Sequence, residues 1–404
     1  MKKLLIFMFS LAIFMGLSIG STAVAYATAD TVQSAKATAK SAYLIDYESG
    51  NVLYERDADR KLPIASMVKI MTLVLAFESI ERGNLSLDQK ITISDDAAQM
   101  GGSQMFLEAN TQYTLSDLIK GISVCSANDA SFAVGEAISG SKESFVDLMN
   151  VKAKQLGMNN TVFINMTGLP GAGQYSTAKD VSLMMSTLLK NSLYYDYSKI
   201  LMENYQHPDG RITEMVNTNK LVRYYNGCDA GKTGFTNDAL FCLSASAMRS
   251  GLRVIATVIG ASESKTRFAE VSGLFNYAFA NYKKETIVNS GDIINNTVEV
   301  IKGVDKKIEL RVAKTISQTI KMSQSVNYSI DFEIPKTLKA PIKNGAVVGT
   351  IKVMDGNNLI GETDIIAGVD IDEMGISDAI KQILQNWFIC RNRLDNAFYS
   401  CFFT

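Results

Sequence analysis

The stretch from Ile64 to Phe77, IASMVKIMTLVLAF, reads as a helix that is apolar on every side. Such a helix cannot lie on a surface and must be enclosed by other elements. It therefore constrains the fold to a domain built around a central helix. Its one charged residue, Lys69, follows Ser66 by three positions. An ammonium in a buried helix is costly unless it is paired or put to use. Pro63, just ahead, suits a helix start. The chain has 404 residues, enough for two domains. Its hydrophobic content of 47% and charged content of 20% are those of a globular protein.

The flanks supply what would enclose this helix. Ser41 to Lys61 alternates apolar and polar about Glu48-Ser49-Gly50-Asn51, a hairpin pattern. Ala239 to Met248 and Leu252 to Ala261 form a second hairpin joined at Ser250-Gly251. Between them lie helical periods over Leu115–Ile122, Asp129–Ile138, Ser144–Leu156 and Thr177–Leu189, and Thr266–Tyr282 returns to helix. Strands at both ends and helices in the middle predict an α/β (α+β) domain over residues 30–285, an antiparallel sheet covered by helices. After Glu285 short alternating strands predict a small all-β domain over residues 286–372.

The termini have their own character. Lys2, Lys3 and the apolar run Leu4–Ile19 precede small-residue cleavage sites such as Ala23-Val24-Ala25 and Ala27-Thr28-Ala29. Residues 1–29 are thus expected to be a secretory signal, which puts the body of the protein outside the cytoplasm. Residues 373–404 hold an amphipathic helix and a tail. Ile376, Ala379, Ile380, Ile383, Leu384, Trp387 and Phe388 share one helical face, which fits either a membrane surface or the flank of the all-β domain.

Several functional classes are disfavoured. Forty basic residues balance 41 acidic ones, and no basic block stands out, so no nucleic-acid partner is expected. The five cysteines, Cys125, Cys228, Cys242, Cys390 and Cys401, do not form a disulfide framework and include no Cys-x-x-Cys. A single histidine, His207, makes a multi-histidine metal centre or a serine–histidine–aspartate triad unpromising. Its setting, YQHPDGR, reads as a surface turn.

The remaining nucleophile chemistry points to Ser66. Residues three apart on a helix share a face. A serine hydroxyl needs a base to take its proton, and a lysine kept neutral by burial or by a nearby positive charge can serve. Ser-x-x-Lys also occurs at Ser139, Ser176 and Ser262, but only the Ser66 copy sits in a continuous apolar run. Ser126-Ala127-Asn128 falls in a turn between helices, where a hydroxyl and an amide can relay a proton and hold a peptide carbonyl. Lys232-Thr233-Gly234 enters a strand, where an amine and a hydroxyl beside a glycine can bind a carboxylate. The order Ser-x-x-Lys, Ser-x-Asn, Lys-Thr-Gly is that of active-site-serine penicillin-recognising enzymes.

On these motifs, and on SAYLIDYESGNVLYERDAD, Phe163–Leu169, YSTAKD and NTNKLVRYYNGCDAGKTGFT, the sequence resembles secreted D-alanyl-D-alanine carboxypeptidases, the low-molecular-mass penicillin-binding proteins. The resemblance implies a penicillin-recognising serine transpeptidase-like domain that needs no cofactor. It implies that Ser66 is the nucleophile, Lys69 the base, Ser126 a proton relay and Asn128 an orienting amide. It further implies that Lys232, Thr233 and Gly234 hold the substrate carboxylate with support from Arg267, and that the N–H groups of Ser66 and Phe235 form an oxyanion hole. Peptidoglycan stem peptides would be substrates and β-lactams covalent inhibitors. Gln174 stands where relatives often carry histidine, Ala230-Gly231 where a glycine and a larger residue are usual, and Leu240 where glycine is common.

Three other readings are open to a sequence with these motifs. A class A β-lactamase would need a glutamate in a Glu-x-x-x-Asn setting, and none of Glu136, Glu143, Glu203 and Glu214 has it. A non-catalytic β-lactam or peptidoglycan sensor would keep the fold. A wall-binding protein would use the all-β domain as its interaction surface.

Overall fold

A computed structural model describes residues 37–381, 383 and 384. The signal segment, Trp387, Phe388, Cys390, Cys401 and the tail lie outside the described residues.

The apolar stretch expected as one helix divides in two. Ala65–Val68 forms a 3₁₀ turn, and α1 (Lys69–Glu81) continues from it. The chain enters that turn through Ala65 at φ 47, a left-handed conformation from which an α-helix cannot extend backwards. Every residue from Lys69 to Phe77 is buried, as the all-round apolar pattern requires. The enclosing helices are α2 (Leu115–Val124), α3 (Asn128–Ser139), α4 (Lys142–Gln155) and α5 (Ala178–Leu188), while α6 (Ser264–Asn281) packs in a second core. Side-chain caps fix three of their starts: Thr114, Ser141 and Thr177 accept hydrogen bonds from the N–H groups of Asp117, Ser144 and Asp180.

Both sequence hairpins join one five-stranded antiparallel sheet, comprising β1 (Ser41–Asp46), β2 (Val52–Arg56), β3 (Cys228–Thr236), β4 (Leu240–Arg249) and β5 (Leu252–Ala261). The strand order is β2-β1-β5-β4-β3, so the two hairpins meet where β1 pairs with β5 and β3 is left at an edge. Along β5 the pleat sorts the side chains. Val254, Ala256 and Val258 join the core under α6, while Ile255 and Ile259 join the larger core shared with α1. Thr257 is polar and fully buried. Its hydroxyl bonds to the hydroxyls of Ser182 at 2.7 Å and Ser244 at 2.8 Å, which satisfies it.

The C-terminal strands have a separate core that includes Leu310, Ile351, Val353 and Ile365. They form a five-stranded sheet ordered Ile293–Ile294, Leu310–Val312, Asn358–Ala367, Val347–Asp355 and Tyr328–Glu333, with smaller strand pairs beside it. A helix begins at residue 376, and its Ile376, Ile380, Ile383 and Leu384 are exposed rather than packed on this domain. Among the described residues, no helix is long and apolar enough to cross a membrane.

His207 corrects the sequence reading. It is 2% exposed, not a surface residue. It closes the hairpin of Met202–Gln206 and Ile212–Val216 from within, with Nδ1 3.2 Å from the Tyr113 hydroxyl and Nε2 2.8 Å from Thr213 Oγ1. The turn signal of Pro208-Asp209-Gly210 is real, but the ring before it folds inward onto Tyr113 and Tyr205. Burial, helped by the Arg211 charge, pushes its pKa down.

The β3–β4 turn carries Leu240 at φ 57, a position where glycine is common among the enzymes the sequence resembles. Left-handed backbone costs an L-residue about 1–2 kcal/mol. Leu240→Gly should therefore raise stability by roughly 0.5–1 kcal/mol after the extra chain entropy of glycine is deducted. A lower thermal unfolding midpoint would mean that the half-buried leucine side chain contributes more than the strain removes.

Candidate active site

The site forms where the edge strand β3 passes the start of α1. Gly234 makes this approach possible. A Cβ there would lie 2.5 Å from the Ile64 carbonyl oxygen and 3.3 Å from Met67 N. Gly168 does the same from the other side. It has φ +82, and a Cβ would fall 2.1 Å from the Ala65 carbonyl oxygen and 2.8 Å from Ser66 N. The 3₁₀ turn that carries Ser66 is thus held between two glycines.

Lys69 Nζ lies 3.0 Å from Ser66 Oγ and 2.6 Å from the Thr167 carbonyl oxygen. The amine donates to that carbonyl, which leaves the nitrogen lone pair of the neutral form free to face the Ser66 hydroxyl. Lys69 is fully buried, and burial lowers its pKa well below the ordinary lysine value; the nearby Lys232 charge lowers it further. Lys232 is 1% exposed, and its Nζ lies 2.7 Å from Ser126 Oγ and 3.2 Å from the Thr233 carbonyl oxygen. Burial brings its pKa down to about 7, with the Arg267 charge acting in the same direction. The three motifs therefore meet as two amine–hydroxyl pairs, Lys69 with Ser66 and Lys232 with Ser126.

Ser126 adopts φ 65, an unusual conformation for serine that turns the chain between α2 and α3. Asn128 starts α3. Its Nδ2 donates to the Gly101 carbonyl oxygen at 2.6 Å, and its buried Oδ1 has no partner among the described residues. Among the described hydrogen bonds none joins Asn128 to Lys69; the second bond of Lys69 goes to Thr167 instead. Thr233 is buried beside Lys232, and the Phe235 side chain is half exposed and stacked on Phe241 with ring centroids 4.4 Å apart. Arg267 supports β3 from α6. Its Nη1 donates to the carbonyl oxygens of Gly234 at 3.0 Å and Cys242 at 3.4 Å.

Two supports escaped the motif reading. Asn165 Oδ1 accepts from Thr167 N, Thr167 Oγ1 and Gly168 N, and Gln174 Oε1 accepts from Ile164 N and Asn165 N. Together they fix the carbonyl that Lys69 uses. Gln174, which stands at a position often held by histidine, is thus a brace for this loop. Asp129, buried, accepts from the N–H groups of Met105 at 3.2 Å and Leu107 at 3.0 Å and ties down the loop beside Asn128. The sequence signal for Asp129 was its place in the first turn of α3. Cys125, beside Ser126, is a free thiol whose pKa burial pushes up to about 11, which leaves it unreactive at neutral pH. Among the described residues no cluster of His, Cys, Asp or Glu could hold a metal ion.

Comparison with known proteins places this geometry in context. Residues 28–263 match the family described as D-alanyl-D-alanine carboxypeptidase, and residues 282–373 match the penicillin-binding protein 5 C-terminal domain. The chain is 37% identical over 350 residues to the D-alanyl-D-alanine carboxypeptidase DacF of Bacillus subtilis (strain 168), covering 86% of this chain and 90% of that one. It is 32% identical over 382 residues to DacC of Escherichia coli (strain K12), another D-alanyl-D-alanine carboxypeptidase, covering 90% and 93%. Among solved structures it resembles penicillin binding protein 5 from Haemophilus influenzae, with TM-score 0.66 and 28% identity over 84% of this chain and 99% of that one.

The packing of Gly168 against Ala65 and Ser66 has a direct consequence. Gly168→Ala should lower stability by more than about 1 kcal/mol and depress the reactivity of Ser66 toward acylating probes. An unfolding midpoint and probe labelling equal to wild type would show that the turn tolerates displacement.

Proposed function

We propose, since this chain belongs to the D-alanyl-D-alanine carboxypeptidase family, that Ser66 removes the terminal D-alanine of peptidoglycan stem peptides through an acyl-enzyme. The protein is a serine-type D-Ala-D-Ala carboxypeptidase, a hydrolase. The observation that carries the assignment of Ser66 is the buried Lys69 amine 3.0 Å from its hydroxyl, with its pKa lowered by that burial.

In this reading Lys69 takes the Ser66 proton as Oγ attacks the carbonyl of the penultimate D-alanine. The N–H groups of Ser66 and Phe235 receive the developing oxyanion. Ser126 passes a proton to the leaving amine, the C–N bond breaks, and D-alanine departs. Water then hydrolyses the ester and restores Ser66. Lys232 and Thr233 hold the terminal carboxylate, Gly234 lets β3 approach the turn, and Arg267 fixes Gly234 from behind. Asn128 Oδ1, a buried acceptor without a partner among the described residues, is available for a substrate amide N–H. A β-lactam enters the same cleft and acylates the same hydroxyl.

The chemistry is confined to the domain of residues 30–285, with residues 286–372 as a separate β domain that spaces it from the envelope surface. Two family matches that divide near this boundary support the partition. An extracytoplasmic setting is supported by the leader-like N-terminus, and membrane-surface contact by the exposed face of Ile376, Ile380, Ile383 and Leu384.

Wild type should release D-alanine from a peptide ending in Lys-D-Ala-D-Ala, and Ser66→Ala should release none and take no covalent penicillin label. Labelling of the mutant would move the nucleophile elsewhere; a well-folded wild type without release would favour a sensor. The pH profile tests Lys69 separately. Acylation needs its neutral form, so the rate should fall as pH drops through the lowered pKa of Lys69. Lys232→Met removes a positive charge that lowers that pKa, so its acid limb should move to higher pH. An unmoved limb in stopped-flow penicillin acylation would reject Lys69 as the titrating base.

A further inference from the structure

A pocket outside the catalytic cleft opens at the base of the hairpin of Met202–Gln206 and Ile212–Val216. Its volume of about 440 Å³ falls in the range of small-molecule sites, roughly 300–1,000 Å³. None of the two lysines and two serines of the cleft lines it. Met202 and Val216 are a cross-strand pair, and with Leu201 and Tyr224 they make exposed apolar walls. Exposed apolar side chains gathered around one hollow, rather than scattered, mark a binding surface.

The polar lining is of two kinds. Asn217 and Asn219 are engaged within the protein. Asn217 Nδ2 donates to the carbonyl oxygens of Ser198 at 2.9 Å and Ile200 at 2.8 Å, and its Oδ1 accepts from Asn219 N at 2.9 Å. Asn219 Nδ2 donates to the Ala230 carbonyl oxygen at 3.4 Å, and its Oδ1 accepts from Leu221 N at 3.2 Å. Lys220 and Arg223 are exposed, and neither has an acidic partner among the described residues. They lie three apart at the short helix Leu221–Tyr224 and so share a side of it. No acid is among the lining residues. On the hairpin, Glu203 pairs with Lys120 at 2.8 Å, and Glu214 stands opposite Asn204, two residues from Val216.

A ligand here meets apolar walls, two cations and no other uncommitted polar side chain. A peptide or a sugar would bring many polar groups for which the walls offer no partner. We propose that this pocket binds one small amphiphilic anion, an alkyl or aryl body with a single phosphate or carboxylate head. The body lies against Leu201, Met202, Val216 and Tyr224, and the head lies between Lys220 and Arg223. The site stands independently of the carboxypeptidase reading.

The test titrates the full-length protein calorimetrically with octyl phosphate, kept monomeric, and with 1-octanol. Two exposed ion pairs predict that wild type prefers the phosphate by about five- to ten-fold at low salt and by less at high salt. The double variant Lys220→Gln/Arg223→Gln should bring that ratio to about one, and Lys220→Arg/Arg223→Lys should keep it well above one. The two probes share one body, so their ratio in a single protein is insensitive to a partly unfolded fraction. The wild-type ratio retained in Lys220→Gln/Arg223→Gln overturns the proposal. Adsorption to phosphatidylglycerol vesicles without binding of monomeric octyl phosphate also overturns it, and makes the patch a membrane contact instead.

Discussion

Two lysine amines buried within one cleft set the terms for everything around them. Lys69 and Lys232 are each almost fully removed from water, and among the described residues neither faces a carboxylate at hydrogen-bond distance. Two ammonium ions in such a place would repel each other in a medium that screens poorly. Burial lowers the pKa of both amines, and the Lys232 charge lowers that of Lys69 further, which favours the neutral form that the proposed mechanism asks of Lys69. Each amine then needs neutral partners, and it finds a hydroxyl and a backbone carbonyl: Ser66 with Thr167 for one, Ser126 with Thr233 for the other.

Those partners must not drift, because the amine has no ion pair to hold it. The fold supplies rigidity from backbone contacts. Gly168 and Gly234 let two chain segments press on the turn at Ser66, closer than any side chain would allow. Asn165 and Gln174 hold the loop that offers the Thr167 carbonyl, and Arg267 holds Gly234 from the far side of β3. The left-handed backbone of Ala65 and Ser126 belongs to the same device. It sets the backbone beside each hydroxyl at some cost in local strain.

Much of this was legible in the sequence, because it is carried by local pattern. The all-round apolar period announced the central helix, the two hairpins announced a sheet built from both ends, and the three motifs announced which side chains would meet. What the sequence hid depends on backbone and on inward folds. The 3₁₀ turn at Ser66 follows from a single left-handed residue that no periodicity marks. The Thr167 carbonyl has no side-chain signature. His207 sits in a stretch with every sign of an exposed turn, and only the tertiary fit of its ring with Tyr113 and Thr213 takes it inside. Arg267 was expected to support the carboxylate site, and the bond through which it reaches that strand goes to the Gly234 carbonyl, which no residue pattern distinguishes.

The acids near the cleft bear on how the acyl-enzyme is resolved. Asp129, the buried acid beside Asn128, is engaged by the N–H groups of Met105, Leu107 and Ala130 and is not free to activate water. In the proposed mechanism the amine that takes the serine proton also serves hydrolysis. With a peptide, D-alanine leaves after acylation and water can enter the space it vacates. With a β-lactam, the leaving nitrogen remains tethered to the acyl group through the opened ring, and it continues to occupy that space. In the proposed mechanism the same two lysines and two serines would serve turnover of the peptide and slow release of the β-lactam.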